Sequence, residues 1–115
     1  MKIVRDKEKI SVDEVKKMAV KMFDNLVKAV VDIEKRIMAI DADMHADEER
    51  ILLEKGSKQE NLWGVNLYPE RQDDDWIEFD SMINLRPSCG NRSRGVEDPN
   101  LRKLIIEIIN NLVEK

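Results

Sequence analysis

Leu26-Val27-Lys28-Ala29-Val30-Val31-Asp32-Ile33-Glu34-Lys35-Arg36-Ile37-Met38-Ala39-Ile40-Asp41-Ala42-Asp43-Met44 is the stretch on which the fold turns. Ala29, Ile33, Ile37, Ile40 and Met44 fall three or four residues apart, the spacing of one helical face. They continue the rhythm of Val12, Val15, Ala19, Met22 and Leu26, so one helix from Val12 to Met44 satisfies the pattern. Val27, Ala29, Val31 and Ile33 also alternate, and Val30 and Val31 add β-branched side chains that suit a pleated surface. In that second reading a first helix over residues 12–24 leaves at Asp24-Asn25, since asparagine tolerates left-handed backbone after a helix. Glu34-Lys35-Arg36 would then be the turn between two strands, without the glycine that tight hairpins prefer. Periodicity leaves both readings open.

The flanks are clearer. Ser11-Val12-Asp13-Glu14 is a capping box that opens the first helix. Asp47-Glu48-Glu49 puts three acids where a helix dipole favours them, Ile51, Leu52 and Leu53 supply its apolar side, and Gly56 ends it. Trp63, Val65 and Leu67 alternate with Gly64 and Asn66 as a strand that stops at Pro69. After a polar loop over residues 70–75, Ile77, Phe79, Ser81, Ile83 and Leu85 alternate with Glu78, Asp80, Met82, Asn84 and Arg86, which predicts a long strand. Pro87 to Asn91 has loop composition, and Asp98-Pro99 caps and starts a last helix over residues 99–113. Its stripe is Leu101, Leu104, Ile105, Ile108, Ile109 and Leu112. The architecture expected is α+β: an antiparallel sheet of about four strands, with N- and C-terminal helices packed on one face over Val65, Leu67, Phe79, Ile83 and Leu85.

The 115 residues are expected to form one domain, 1–115. No apolar run reaches the ~20 residues of a membrane helix, and the start Met1-Lys2-Ile3-Val4-Arg5-Asp6 has no signal core. A single cysteine excludes an internal disulfide framework, so a soluble cytoplasmic protein is expected. The net charge of -4 hides segregation: +3 over residues 1–23, -4 over 41–60, -5 over 69–80 and +3 over 86–96. Three loop arginines fall short of the roughly six to ten phosphate contacts of a tight duplex binder, so no duplex nucleic acid is expected. Charged residues at 38% read as a heavily solvated surface of the kind enriched in thermophiles.

Leu62-Trp63-Gly64-Val65-Asn66-Leu67-Tyr68-Pro69, Ile83-Asn84-Leu85-Arg86-Pro87, Gly90-Asn91-Arg92-Ser93 and Met44-His45-Ala46-Asp47-Glu48-Glu49 resemble the signatures of a family of short, uncharacterised prokaryotic proteins, a domain of unknown function. The resemblance spans nearly the whole chain. It implies a chain reversal near Asp41-Ala42, where the family pattern carries a glycine pair that this chain lacks, and so favours strands over the long helix. It implies no activity.

Asp41, Asp43, His45 and Asp47 stand at every second residue and would share one face of an extended segment, as oxygen and imidazole donors for a divalent ion. Equally, Asp47 begins a helix while Asp41 and Asp43 solvate a turn. The spacing excludes an EF-hand, because Ala46 and Leu52 occupy its glycine and glutamate positions. A lone histidine excludes the zinc-protease helix. The loop Arg86 to Arg94 offers Asn91, Arg92 and Arg94 with serines and glycine as an anion cradle, although its arginines can instead pair with the acids of residues 70–80. Cys89 beside these arginines has the makings of a nucleophile with His45 as base, or of an idle loop thiol. Trp63, Trp76, Tyr68, Phe79 and Phe23 read as core or interface anchors.

The preferred site is the polar sheet face. Asn66, Asp80, Asn84 and Arg86 would project together there, with His45 and Asp47 at the rim. The ligand-binding residues expected are therefore His45, Asp47, Asn66, Asn84, Arg86, Asn91, Arg92 and Arg94, with no catalytic residue, metal or cofactor assigned. Function divides between a noncatalytic module for a small anionic ligand or protein partner and a small metal-assisted hydrolase using His45 and nearby carboxylates. A homodimer sharing the polar face is expected.

Overall fold

The computed structural model describes residues 1–21 and 25–115. Residues 26–44 pleat. Strand β3 (Val27–Asp32) and strand β4 (Ile37–Ile40) pair antiparallel, with Ala29 opposite Ile40 and Asp32 opposite Ile37. An aspartate does the work of the missing glycine at the turn. Asp32 Oδ1 accepts from the backbone N–H groups of Glu34 and Lys35 at 2.9 and 3.0 Å, and Arg36 takes a left-handed φ of 58°. Ser57 locks the turn from behind, its hydroxyl donating to Asp32 Oδ2 at 2.6 Å. The reversal implied near Asp41 is present, with Asp41 itself at a φ of 74°.

Helix α1 (Val12–Val20) opens as the capping box requires: Ser11 Oγ accepts from Glu14 N–H at 3.1 Å. The Glu14 carboxylate turns instead to Lys2 Nζ at 3.6 Å. Asn25 has the left-handed backbone expected of a helix exit, at a φ of 57°, while Met22, Phe23 and Asp24 lie outside the described residues.

The described residues form a five-stranded antiparallel sheet in which β1 (Lys2–Val4) pairs with β4, β4 with β3, β3 with β5 (Leu62–Leu67), and β5 with β6 (Ile77–Glu78). A separate parallel pair, β2 (Ile10–Ser11) with β7 (Val113–Glu114), ties the two ends of the chain together. Helix α1 and helix α3 (Pro99–Leu112) cover one face of the large sheet. Ile105, Ile108, Ile109 and Leu112 of α3 pack there with Val31, Val65 and Leu67, and each such side chain contributes about 1.5–3 kcal/mol by burial. Helix α2 (His45–Glu54) lies on the opposite face, where Leu52 meets Val30, Ala39 and Leu62. It ends at Gly56, φ 97°, with Ser57 N–H bonded to Leu52 O and Gly56 N–H to Leu53 O. Both faces of β3 are thus covered, which explains why its sequence is nearly all apolar.

The long strand expected over residues 77–85 stops after Glu78. Beyond it the edge of β5 is completed by side chains instead of backbone. Asn84 lies in a tight turn, where its amide copies a peptide unit: Oδ1 accepts from Gly64 N–H at 2.8 Å and Nδ2 donates to Gly64 O at 3.0 Å. Arg86 donates to the carbonyls of Leu62, Gln59 and Ile83 and stacks over Trp63 at 4.3 Å. The expected alternation fails with the strand. Phe79 stays partly buried against the α3 side, but Ile83 crosses to the α2 side and Leu85 is 41% exposed.

Candidate functional site

Lys28 on β3 and Asn66 on β5 are direct cross-strand neighbours, and together they floor a pocket of about 200 Å³ on the α2 face. Gly64, two residues before Asn66, sets how closely its walls approach. A Cβ there would meet Ser81 Cβ and Oγ at 2.7 Å and His45 Cδ2 at 3.2 Å, so only glycine lets α2 and the loop after β6 close over β5. Met44, His45 and Ala46 bring the start of α2 to the pocket, while Asp80, Ser81, Met82 and Arg94 form the other wall.

His45 is anchored by its ring. Nε2 lies 2.8 Å from Val65 O, and because a carbonyl can only accept, Nε2 carries the proton. In the neutral ring Nδ1 therefore keeps a lone pair. Burial pushes the His45 pKa below its usual 6.5, outweighing the Val65 hydrogen bond that favours the charged form, so the ring is neutral at pH 7.

Asn66 is 7% exposed and donates from Nδ2 to Glu78 Oε1 at 2.9 Å and to Asp80 O at 3.2 Å. Both partners are acceptors, which fixes the amide orientation and leaves Oδ1 with no hydrogen-bond partner among the described residues. Ser81 is buried, with its N–H bonded to Arg94 O at 2.9 Å. Arg94 Nε pairs with Asp80 Oδ1 at 2.8 Å, a half-exposed ion pair that adds little stability. The side chain of half-buried Lys28 has no hydrogen-bond or ion-pair partner among the described residues. Met44 provides no side-chain cap for α2, whose first residues line the pocket and bring the positive end of the helix dipole beside it. Counting Lys28 and Arg94 against Asp80, with His45 neutral, the site carries one net positive charge.

Three of the expected site residues, His45, Asn66 and Arg94, therefore line one pocket. The others have partners elsewhere. Asp47 pairs with Arg50 at 3.3 Å on the surface. Asn84 and Arg86 complete the β5 edge. Asn91 is 4% exposed and ties its loop together, donating to the carbonyls of Asn84 and Gly95 at 2.7 and 2.8 Å and accepting from Glu97 N–H at 2.9 Å. Arg92 is exposed, and its backbone N–H donates to Glu97 Oε2 at 2.7 Å. Asp41 turns to Lys21 Nζ at 3.2 Å, and among the described residues no group of three or more His, Cys, Asp or Glu side chains is arranged to hold a metal ion. Cys89 is exposed and free. Lys28 escaped the sequence reading, although a lone lysine inside the apolar run Val27 to Val31 is a visible signal.

Beneath the start of α2 lies Glu48, fully buried, with Oε2 accepting from Ala42 N–H at 3.1 Å and Oε1 unpartnered among the described residues. Burial pushes its pKa up to about 10, against the opposing pull of the Ala42 hydrogen bond, so the carboxyl is neutral at pH 7.

A sequence model described as "Protein of unknown function (DUF5674)" matches residues 2–112, almost the entire chain. The chain belongs to the DUF5674 family. Comparisons with curated proteins and with solved structures give no match. In this DUF5674 chain, the run from Trp63 to Asn66 builds much of the pocket: Trp63 supports Arg86, Gly64 admits Ser81 and His45, Val65 anchors the imidazole, and Asn66 lines the floor.

Proposed function

We propose that this protein is a noncatalytic binding module for a small organic anion held in the α2 pocket. The observation that carries the proposal is the unpaired, half-buried Lys28 in the same pocket as the uncapped start of α2. An anion seated in the pocket would pair with the Lys28 ammonium, which has no counter-ion there, and would lie beside the positive end of the α2 dipole. Arg94 supplies a second cation whose carboxylate partner, Asp80, is half-exposed and able to share it. The arginine-rich loop thus contributes one guanidinium to the pocket, while Asn91 and Arg86 hold the loop in shape.

Titration calorimetry and thermal melts with acetate and inorganic phosphate test this. Binding is expected to raise stability with ligand concentration, by about 2.7 kcal/mol at a hundredfold excess over Kd. Lys28→Met should weaken binding at least about tenfold, the usual loss for one charge-assisted contact, whereas Arg92→Ala should leave it unchanged. Equal affinity in wild type and Lys28→Met would refute the pocket assignment.

A further inference from the structure

We infer that the α2 pocket takes a small α-hydroxy acid, a carboxylate with an apolar body and a hydroxyl on the carbon beside it. The inference rests on the anion-binding proposal for the same pocket and specifies the class of ligand. Charge is the first support. A carboxylate balances the single net positive charge of Lys28, Arg94 and Asp80, whereas a phosphate dianion exceeds it.

The rim is the second support. Met44 is 57% exposed and Met82 62% exposed, large apolar side chains left open to water in the lining of this pocket, with half-buried Ile83 beside them. Unbranched thioether chains adapt to the shape of an apolar group laid across them. Acetate or phosphate would leave both uncovered.

Unused acceptors are the third support. Asn66 Oδ1 has no donor among the described residues, and His45 has committed its proton to Val65 O, which leaves Nδ1 as an acceptor. A bare carboxylate has no proton for His45 Nδ1, whereas an adjacent hydroxyl supplies one. The volume of about 200 Å³ holds the equivalent of about seven waters, room for a six-carbon acid.

The test compares acetate, inorganic phosphate, isocaproate, leucate (its α-hydroxy form) and leucine by calorimetry on the full chain. Isocaproate should bind about tenfold tighter than acetate from partial burial of its branched end, and leucate tighter again. Met82→Gln, a substitution at an exposed site, should weaken the six-carbon ligands severalfold and leave acetate unchanged. Leucine, whose ammonium cancels the charge of its carboxylate, should bind more weakly than leucate, and leucine matching or exceeding leucate would overturn the α-hydroxy assignment. If acetate and phosphate bind through Lys28 but the six-carbon acids gain nothing, or if isocaproate matches leucate, the ligand class is overturned while anion binding stands. If none of the five binds, both fall.

Discussion

Replacing Glu48 by glutamine is expected to remove a large share of the pH dependence of stability between pH 6 and 8. In the folded protein the Glu48 carboxyl is fully buried, and its pKa stands at about 10, against 4.5 for an exposed glutamate. Between those values the unfolded chain is ionised at this position and the native one holds a proton. The native state therefore binds more protons, and stability must fall as pH rises. The contribution of the protonated group is complete below pH 4.5 and is lost progressively up to about pH 10. The slope is about 1.4 kcal/mol per pH unit for one such proton, or about 3 kcal/mol from pH 6 to 8. Glutamine does not titrate and keeps a carbonyl oxygen to accept from Ala42 N–H, so the variant should lose the pH dependence that this carboxyl brings and be the more stable protein at pH 8. His45, whose depressed pKa works in the opposite sense below pH 6.5, is common to both proteins and cancels in the difference. Urea unfolding of both proteins at three pH values reads the effect directly. A wild-type minus variant difference that stays constant from pH 6 to 8 would refute the assignment of a neutral buried carboxyl.

Asn84→Ala strips Gly64 N–H, Gly64 O and Arg94 O of their side-chain partner at once and should cost about 3–5 kcal/mol, measured by chemical denaturation. A loss below 1 kcal/mol would mean that the β5 edge does not depend on the amide. Asp41→Gly relieves a left-handed backbone at φ 74° and sacrifices an ion pair whose lysine, Lys21, is exposed although the carboxylate is mostly buried, so it should raise stability by up to about 1 kcal/mol. A lowered melting temperature would show that the ion pair outweighs the strain.

Much of the secondary structure was legible because its signals are local. Ser11, Gly56 and Asp98-Pro99 act through hydrogen bonds and dihedral angles within a few residues, and each marks the helix boundary found. Residues 26–44 resisted periodicity because β3 is buried on both faces, which erases the alternation that distinguishes strand from helix. Asp32 was the available clue. Its side chain makes the turn that glycine would otherwise allow. The strand expected from Ile77 onward shows the opposite failure, since real alternation over residues 77–86 accompanies a chain that leaves the sheet after two of them. Asn84 and Arg86, poor strand formers, sit there because their side chains take over the hydrogen bonds of an absent strand edge.

The pocket was legible in pieces only. His45, Asn66 and Arg94 could be named from the chain, but Lys28, Ser81 and the neutral state of His45 depend on which segments meet. Composition, capping residues and apolar stripes determined an α+β protein with terminal helices on one side of a sheet, because those properties act over a few residues and need no knowledge of distant contacts. The side of the sheet taken by α2, the desolvation of Glu48 and His45 and the uncommitted acceptor of Asn66 were decided by tertiary structure. Burial and hydrogen-bond completion are properties of groups far apart in sequence, and they acquire values only when the chain has closed around them.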